Sequence, residues 1–363
     1  MKTNNISNLV LCLVLTFSVN TFAQLNFPRG SQQAKISQRV GITDITIAYS
    51  RPRVNGREIW GKLVPYGMNN LGFGTAEKSP WRAGADENTT IKFTDDVTIE
   101  GQPLKAGKYG FHVIVNPDDT ATLIFSKNHT SWGSFFYKPE EDALRVHIKT
   151  KTIPHTELLT YAFDAVDASS TTASLNWEKK GFPFNIEVDV PTIVLNDFRA
   201  KFDGRDGFQR QNWERAANYA LNNGGDLNEA LSWINNAISG QFYSQKTFNN
   251  LSIKAQILNK MGEPDTYGAL MDEAAGMANK NQLNTLGYQM LIAKDYERAL
   301  KYFKQNVANF PADANSYDSL GECYKTMGDK KNAIKNLKKS LSLNPPANVK
   351  ANSEKLLAEL DAI

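Results

Sequence analysis

A spacing of 34 residues organises the second half of this chain. Leu286-Gly287 recurs as Leu320-Gly321, and three further positions repeat at the same distance: Ala299 with Ala333, Phe303 with Leu337, and Pro311 with Pro345. Such a period is typical of solenoids, in which each unit is a helix pair that buries its apolar face only against its neighbours. Weaker units around Leu251 and Trp213 precede these two, so we expect three to four helix pairs.

The small residues and prolines at these positions resemble the tetratricopeptide repeat. The resemblance implies that the two helices of each unit cross closely at the small residues and that the proline ends the second helix. We therefore expect tetratricopeptide-like repeats over residues 209–363, closed by an amphipathic capping helix that contains Leu356 and Leu360.

Helical repeats of this kind bind partners on a concave face that the first helix of each pair lines. By repeat position, this face should carry Asn281, Asn284, Tyr288, Asn315, Asp318, Glu322 and Lys325. These side chains are polar and mixed in sign, which favours a protein or an extended peptide as the partner. The alternative is that the short helical stack only braces the first half of the chain.

From Ser37 to Val190 the dominant period is two instead, within a first domain that we expect over residues 26–190. Apolar and polar residues alternate in short runs separated by turn residues, as in Leu144 to Ile148, Ala173 to Trp177 and Phe184 to Val188. Strands that bury one face are typical of antiparallel sheets, so the pattern predicts an antiparallel β-sandwich, jelly-roll-like. The run from Tyr109 to Val115 is apolar on both faces and should be a central strand. After Pro191 the period becomes helical, and residues 191–208 should form a linker with a short helix.

Composition and motifs mainly exclude classes of partner and of binding site. The chain has 363 residues, enough for two domains, and its formal charge of +3 includes no block of Lys and Arg, so nothing favours nucleic acid or an anionic membrane as a partner. We find no phosphate-binding loop, dinucleotide fingerprint or paired-histidine zinc motif, and we predict no cofactor and no metal site.

The N-terminus has the pattern of a secretory signal peptide over residues 1–23. Lys2 precedes an apolar run from Leu9 to Val19, and Thr21-Phe22-Ala23 is an acceptable cleavage site. We therefore expect an exported protein, periplasmic or secreted. No later stretch is long and apolar enough to span a bilayer.

One short stretch, Pro80 to Thr90, combines an aromatic residue, a guanidinium group, small residues and carboxylates. If this loop folds over the central strand, Asp86 or Glu87 could orient the imidazole of His112 while Arg82 binds an anionic group. Trp132 and Tyr66 could roof such a site. The alternative is that Arg82 forms an ion pair with Asp86 or Glu87 and merely ties the loop down.

The first half also resembles a bacterial family known as domain of unknown function 2911, found in exported Bacteroidetes proteins. The motifs that carry the resemblance are Ser37 to Gly41, Tyr49 to Pro52, Gly56 to Gly61, Leu63 to Gly67, Trp81 to Ala85, Ala106 to Gly110 and Trp132-Gly133. Residues 68–80 form an insert relative to shorter members. The resemblance implies the domain order and export, but no activity, substrate or catalytic residue.

Together these features predict an exported two-domain protein, β-sandwich then helical solenoid, that acts as a non-catalytic binding or scaffolding module through its repeats. The alternative is a periplasmic enzyme or small-ligand sensor with a site near Arg82, Asp86, Glu87 and His112.

Overall fold

The computed structural model describes residues 28–361, which fall into two compact units that meet in sequence at Val190 and Pro191. The predicted signal peptide, residues 1–23, lies outside the described residues. No helix within residues 28–361 is both long enough and apolar enough to cross a membrane.

The first unit is built from strands that all pair antiparallel. The strands are β1 (Gln32–Val40), β2 (Thr43–Arg51), β3 (Thr90–Phe93), β4 (Val97–Ile99), β5 (Gln102–Leu104), β6 (Gly107–Val115), β7 (Thr120–Ser126), β8 (Asp142–Lys149), β9 (Lys151–Val166) and β10 (Ser170–Glu187). They form a six-stranded sheet in the order β1-β2-β3-β6-β7-β8 and a four-stranded sheet in the order β5-β4-β10-β9. Both sheets are open.

The two sheets bury their inner faces against each other. The ring of Phe111 on β6 lies 5.7 Å from that of Phe184 on β10, and the ring of Tyr49 on β2 lies 4.6 Å from that of Tyr161 on β9. These aromatic pairs bridge the two layers of a sandwich. The predicted antiparallel β-sandwich is therefore confirmed. Strand β6 lies between β3 and β7 and is buried on both faces, as its apolar run predicts.

One strand boundary differs from the sequence pattern. Alternation indicates separate strands around Leu175 and Ile186, whereas the structure has a single 18-residue strand, β10. Its register with β9 shifts around Glu178, which has a φ of +54°. This irregularity interrupts the alternation without ending the strand, because a bulge bends the strand locally while pairing continues on either side.

The second unit is helical. The helices are α1 (Val190–Phe202), α2 (Arg210–Asn222), α3 (Leu227–Ile238), α4 (Phe248–Lys260), α5 (Pro264–Gly276), α6 (Lys280–Ile292), α7 (Tyr296–Asn309), α8 (Ala314–Thr326), α9 (Lys330–Leu341) and α10 (Ala347–Asp361). From α2 to α9 they form four consecutive pairs, and α10 closes the stack. The predicted helical-repeat solenoid is confirmed.

Aspartates at the helix starts and glycines at the helix crossings stabilise these pairs. Asp295, Asp313 and Asp329 stand before α7, α8 and α9, and each carboxylate accepts a backbone N–H of the first turn, as N-cap residues do. A Cβ on Gly287 would lie 2.5 Å from the ring of Phe303, and one on Gly321 would lie 2.7 Å from Leu337. The glycines are needed because the paired helices approach this closely.

Candidate functional site

The stretch Pro80–Thr90 leaves and rejoins the six-stranded sheet beside β6. Trp81 exchanges two backbone hydrogen bonds with Val113, of 3.0 and 2.8 Å, and the Phe111 N–H donates to the carbonyl of Thr89 at 2.8 Å. Residues 82–88 therefore form a loop whose two ends are both hydrogen-bonded to β6, on the edge that pairs with β3.

The backbone of this loop is strained at two positions. Ala83 has a φ of +51° and Asp86 a φ of +58°, in the left-handed region that costs an L-residue about 1 to 2 kcal/mol. The hydroxyls of Thr89 and Tyr161 donate to the Ala83 carbonyl at 3.1 and 2.8 Å and hold the strained conformation in place. Backbone strain fixed by surrounding bonds is enriched at binding and catalytic sites.

Arg82 does not form the ion pair that the loop sequence allows. Its Nη1 donates to the backbone carbonyl of Asp86 at 2.8 Å, and its Cζ lies 4.9 Å from the centre of the Phe135 ring. Within residues 28–361, no carboxylate oxygen lies within 4.0 Å of its guanidinium, and Glu87 forms its ion pair with Arg29 instead. Burial lowers the pKa of Arg82, and the nearby charge of Asp86 opposes this effect.

His112 is an interior residue, as its position on β6 predicts. It is 2% exposed, its Nδ1 lies 3.3 Å from the Ser134 hydroxyl, and its ring lies 5.6 Å from that of Tyr137. Burial, with a smaller contribution from the charge of Arg82, lowers the pKa of His112 to about 3. The imidazole is therefore neutral near pH 7, and no carboxylate in the described part of the chain is bonded to it. The contact between His112 and Asp86 or Glu87 that the sequence suggested is therefore not formed.

A cavity of about 470 Å³ opens beside the loop. Arg82 and Asp86 line it, together with residues of the 52–71 stretch, of the segment at Gly30-Ser31, and of β10. Glu87, His112, Trp132 and Tyr66 do not line it. Because neither Trp132, which is 53% exposed, nor Tyr66, which is 40% exposed, lines the cavity, neither roofs it.

Two of the arginines that line the cavity were not predicted from the sequence. Arg53 and Arg57 lie in the loop that follows β2, and both are exposed. Nε of Arg57 donates to the Val54 carbonyl at 3.0 Å. The clusters Arg51-Pro52-Arg53 and Gly56-Arg57 were visible in the sequence, but nothing in their spacing connects them with Arg82.

The cavity floor is aromatic. Trp81 and Trp177 stack with their rings 5.9 Å apart and an interplanar angle of 16°, and Trp60 meets both edge to face. Trp177 is fully buried, and its indole N–H has no acceptor among residues 28–361. The cavity thus combines a rigid aromatic floor with three formal positive charges and one formal negative charge.

The side chains predicted for the concave repeat surface differ widely in their environments. Asn281 is exposed, Asn284 and Asn315 are half-buried, and the Tyr288 hydroxyl donates to Glu322 at 2.8 Å. The capping helix covers the others. Asp318 is 4% exposed and accepts hydrogen bonds from Asn352, at 2.8 Å, and from Ser353, and Lys325 pairs with Glu359 at 2.7 Å.

An open groove of about 440 Å³ instead runs along the first helices of the earlier pairs, α2, α4 and α6. Its lining is uncharged and rich in amides: Asn218, Asn249, Gln256, Asn279, Asn281, Gln282 and Gln289, with Ser252 and Thr285 and the apolar Phe248, Ile253 and Leu286. The repeat positions predicted Asn281 on this face, but they also predicted mixed charge, which this lining does not have. We call this surface the amide groove.

Among residues 28–361, no group of three or more His, Cys, Asp or Glu side chains is placed to hold a metal ion. Cys323 is a free buried thiol, and burial raises its pKa to about 11.

Comparison with known proteins finds a family match in each of the two units. Residues 31–186 match the model of a family described as a protein of unknown function, DUF2911. Residues 314–346, which span α8 and α9, match a tetratricopeptide-repeat model. No curated protein matches the chain.

Several solved structures are similar to part of this chain. YrrB, described as a tetratricopeptide-repeat protein with an unusual peptide-binding site, is 14% identical, with 46% of this chain and 84% of that chain covered and a TM-score of 0.31. MamA is 13% identical, with 43% and 89% covered and a TM-score of 0.31. PilF of Pseudomonas aeruginosa is 19% identical, with 41% and 68% covered and a TM-score of 0.29. Since these scores are below 0.5, the repeat assignment depends on the family match and on the helix pairs themselves.

The two family matches confirm the resemblance found in the sequence: residues 31–186 match the DUF2911 model, and residues 314–346, further along the chain, match a tetratricopeptide-repeat model.

Proposed function

We propose that this protein is a binding scaffold whose helical repeats hold an extended peptide segment of a partner protein in the amide groove. The observation that carries the proposal is the uncharged amide lining of the groove along α2, α4 and α6. Tetratricopeptide repeats use the face formed by their first helices for such contacts.

The chemistry of the groove matches a peptide backbone. A side-chain amide offers both a donor and an acceptor, as a peptide group does. Asn249, Gln256, Asn281 and Gln289 are exposed, and their side chains make no hydrogen bond within the described part of the chain. These four amides are therefore free to pair with the N–H and C=O groups of an extended chain, while Phe248 supplies apolar contact.

Selection from a random-peptide library against the full chain tests this proposal. We expect enriched peptides to bind the wild type and to lose about thirtyfold in affinity to a triple variant, Asn249→Ala, Gln256→Ala and Asn281→Ala, because about 2 kcal/mol of hydrogen bonding is removed. Asn259→Ala is the matched control, since Asn259 is an exposed amide of α4 that does not line the groove. Equal binding by the triple variant and the control would refute the assignment of the groove.

We also propose that the protein is exported, periplasmic or secreted, on the basis of the N-terminal pattern at residues 1–23. Cell fractionation followed by N-terminal sequencing tests this. We expect a mature chain that begins at Gln24, and an intact N-terminus on protein from the cytoplasm would contradict it.

A further inference from the structure

The cavity beside the Pro80–Thr90 loop has the properties of a small-molecule site. Its volume of about 470 Å³ lies within the usual range for ligand pockets. The aromatic floor of Trp81 and Trp177 is rigid, and the rim carries Leu63 and Leu71, two exposed aliphatic side chains. Exposed apolar groups around a concave surface favour a ligand with an apolar body.

The charged groups of the cavity favour a negatively charged ligand. Arg53, Arg57 and Arg82 line it, with Asp86 as the one acidic side chain among its described residues. Opposite charge in a partly desolvated cleft is attracted more strongly than on an open surface.

Arg82 is the group best placed to bind an anion. A guanidinium has five N–H donors in a planar fork. The structure uses one of them, on the Asp86 carbonyl, and packs the Phe135 ring against the cation. The close approach of Gly133, where a Cβ would lie 2.4 Å from Cζ of Arg82, holds the guanidinium in position. The remaining donors have no carboxylate partner within residues 28–361 and match the geometry of a carboxylate or a phosphate.

The strained loop gives these arginines a fixed arrangement. Ala83 and Asp86 both have positive φ, and the Thr89 and Tyr161 hydroxyls hold the Ala83 carbonyl. A loop anchored in this way presents Arg82 already ordered, so binding does not need to order that side chain first.

We propose that this cavity binds a small amphipathic oxyanion, with its carboxylate or phosphate on Arg82 and its apolar body against Trp81 and the Leu63–Leu71 rim. The site is independent of the amide groove.

Calorimetric titration of the full chain with three probes of one shape tests the proposal: phenylacetate, phenyl phosphate and the neutral 2-phenylethanol. We expect both anions to bind at least about tenfold more tightly than the alcohol. The tighter of the two anions identifies the headgroup that the site prefers.

Substitutions locate the binding. Arg82→Gln should lower the affinity for both anions by about thirtyfold, and Arg53→Gln should lower it by about threefold to tenfold. Arg39→Gln, which removes the same charge from an exposed pair with Asp44, should leave both affinities unchanged. Asp86→Asn should raise the affinity for both anions, because it removes the negative charge. Asparagine tolerates the positive φ at this position.

Arg53→Gln keeps the test decisive if Arg82→Gln fails to fold, because Arg53 is exposed and its side chain makes no hydrogen bond within residues 28–361. The proposal is overturned if the alcohol binds as tightly as the anions, if Arg53→Gln keeps wild-type affinity for both, or if neither anion binds saturably at about 10 mM.

Discussion

Replacing Gly287 by alanine tests whether the paired helices α6 and α7 approach as closely as the structure shows. The added Cβ would lie 2.5, 2.6 and 2.8 Å from three atoms of the Phe303 ring. Ordinary carbon contacts are about 3.5 to 4.0 Å, so the ring must move by about 1 Å. Phe303 is fully buried, and its ring meets Tyr288 edge to face at 5.1 Å.

Two opposing effects set the size of the change. Overpacking a filled core costs about 1 to 3 kcal/mol. Alanine is more favourable than glycine inside a helix by about 1 kcal/mol, which offsets part of this cost. We therefore expect Gly287→Ala to lower the free energy of unfolding of the helical unit by about 1 to 2 kcal/mol.

Two glycines of the preceding helix, α5, separate these effects. A Cβ on Gly276 would meet no atom within 4 Å, so Gly276→Ala should stabilise the unit by up to about 1 kcal/mol through helix propensity alone. A Cβ on Gly268 would lie 2.1 Å from the end of the Arg298 side chain, which can move. Gly268→Ala should therefore fall between the two.

Urea unfolding followed by circular dichroism at 222 nm measures the series, since that signal comes mainly from the helices. From the most to the least stable variant, the expected order is Gly276→Ala, Gly268→Ala and Gly287→Ala. If Gly287→Ala were as stable as Gly276→Ala, the close contact with Phe303 would not exist and the reasoning would fail.

Three further predictions concern buried polar groups. The free energy of unfolding should fall as pH drops from about 6.5 towards 3, by up to about 1.4 kcal/mol per unit, because unfolding lets His112 bind a proton; His112→Leu should reduce this slope in acid titrations. Tyr161→Phe should cost about 1.5 kcal/mol in urea unfolding, because the Ala83 carbonyl loses a buried donor. Asp318→Ala should speed hydrogen exchange in α10 and cost about 2 kcal/mol, because Ser353 loses its buried acceptor.

Much of the fold follows from patterns between neighbouring residues. The alternation around Phe111 placed β6 at the centre of a sheet with both faces buried, and the 34-residue spacing located the helix pairs and their small crossing residues. These patterns are visible in the sequence because side chains on a strand or helix recur with the period of the element itself. The interruption of β10 at Glu178 was the place where this local rule failed.

The candidate sites depended on contacts between distant residues. Glu87 pairs with Arg29 and not with Arg82, and Asp318 is covered by α10 and does not face a partner. Neither contact follows from a periodic pattern in the sequence, because each depends on how a loop or a terminal helix folds back onto the chain.

By itself, therefore, the sequence determined the two kinds of architecture and the order in which they occur. Only the tertiary structure decided that Arg53 and Arg57 share a cavity with Arg82 and that His112 is buried away from it. The physical reason is that secondary structure is specified by local periodicity, whereas a binding site is specified by which charged and polar groups the folded chain leaves unpaired in the same cavity.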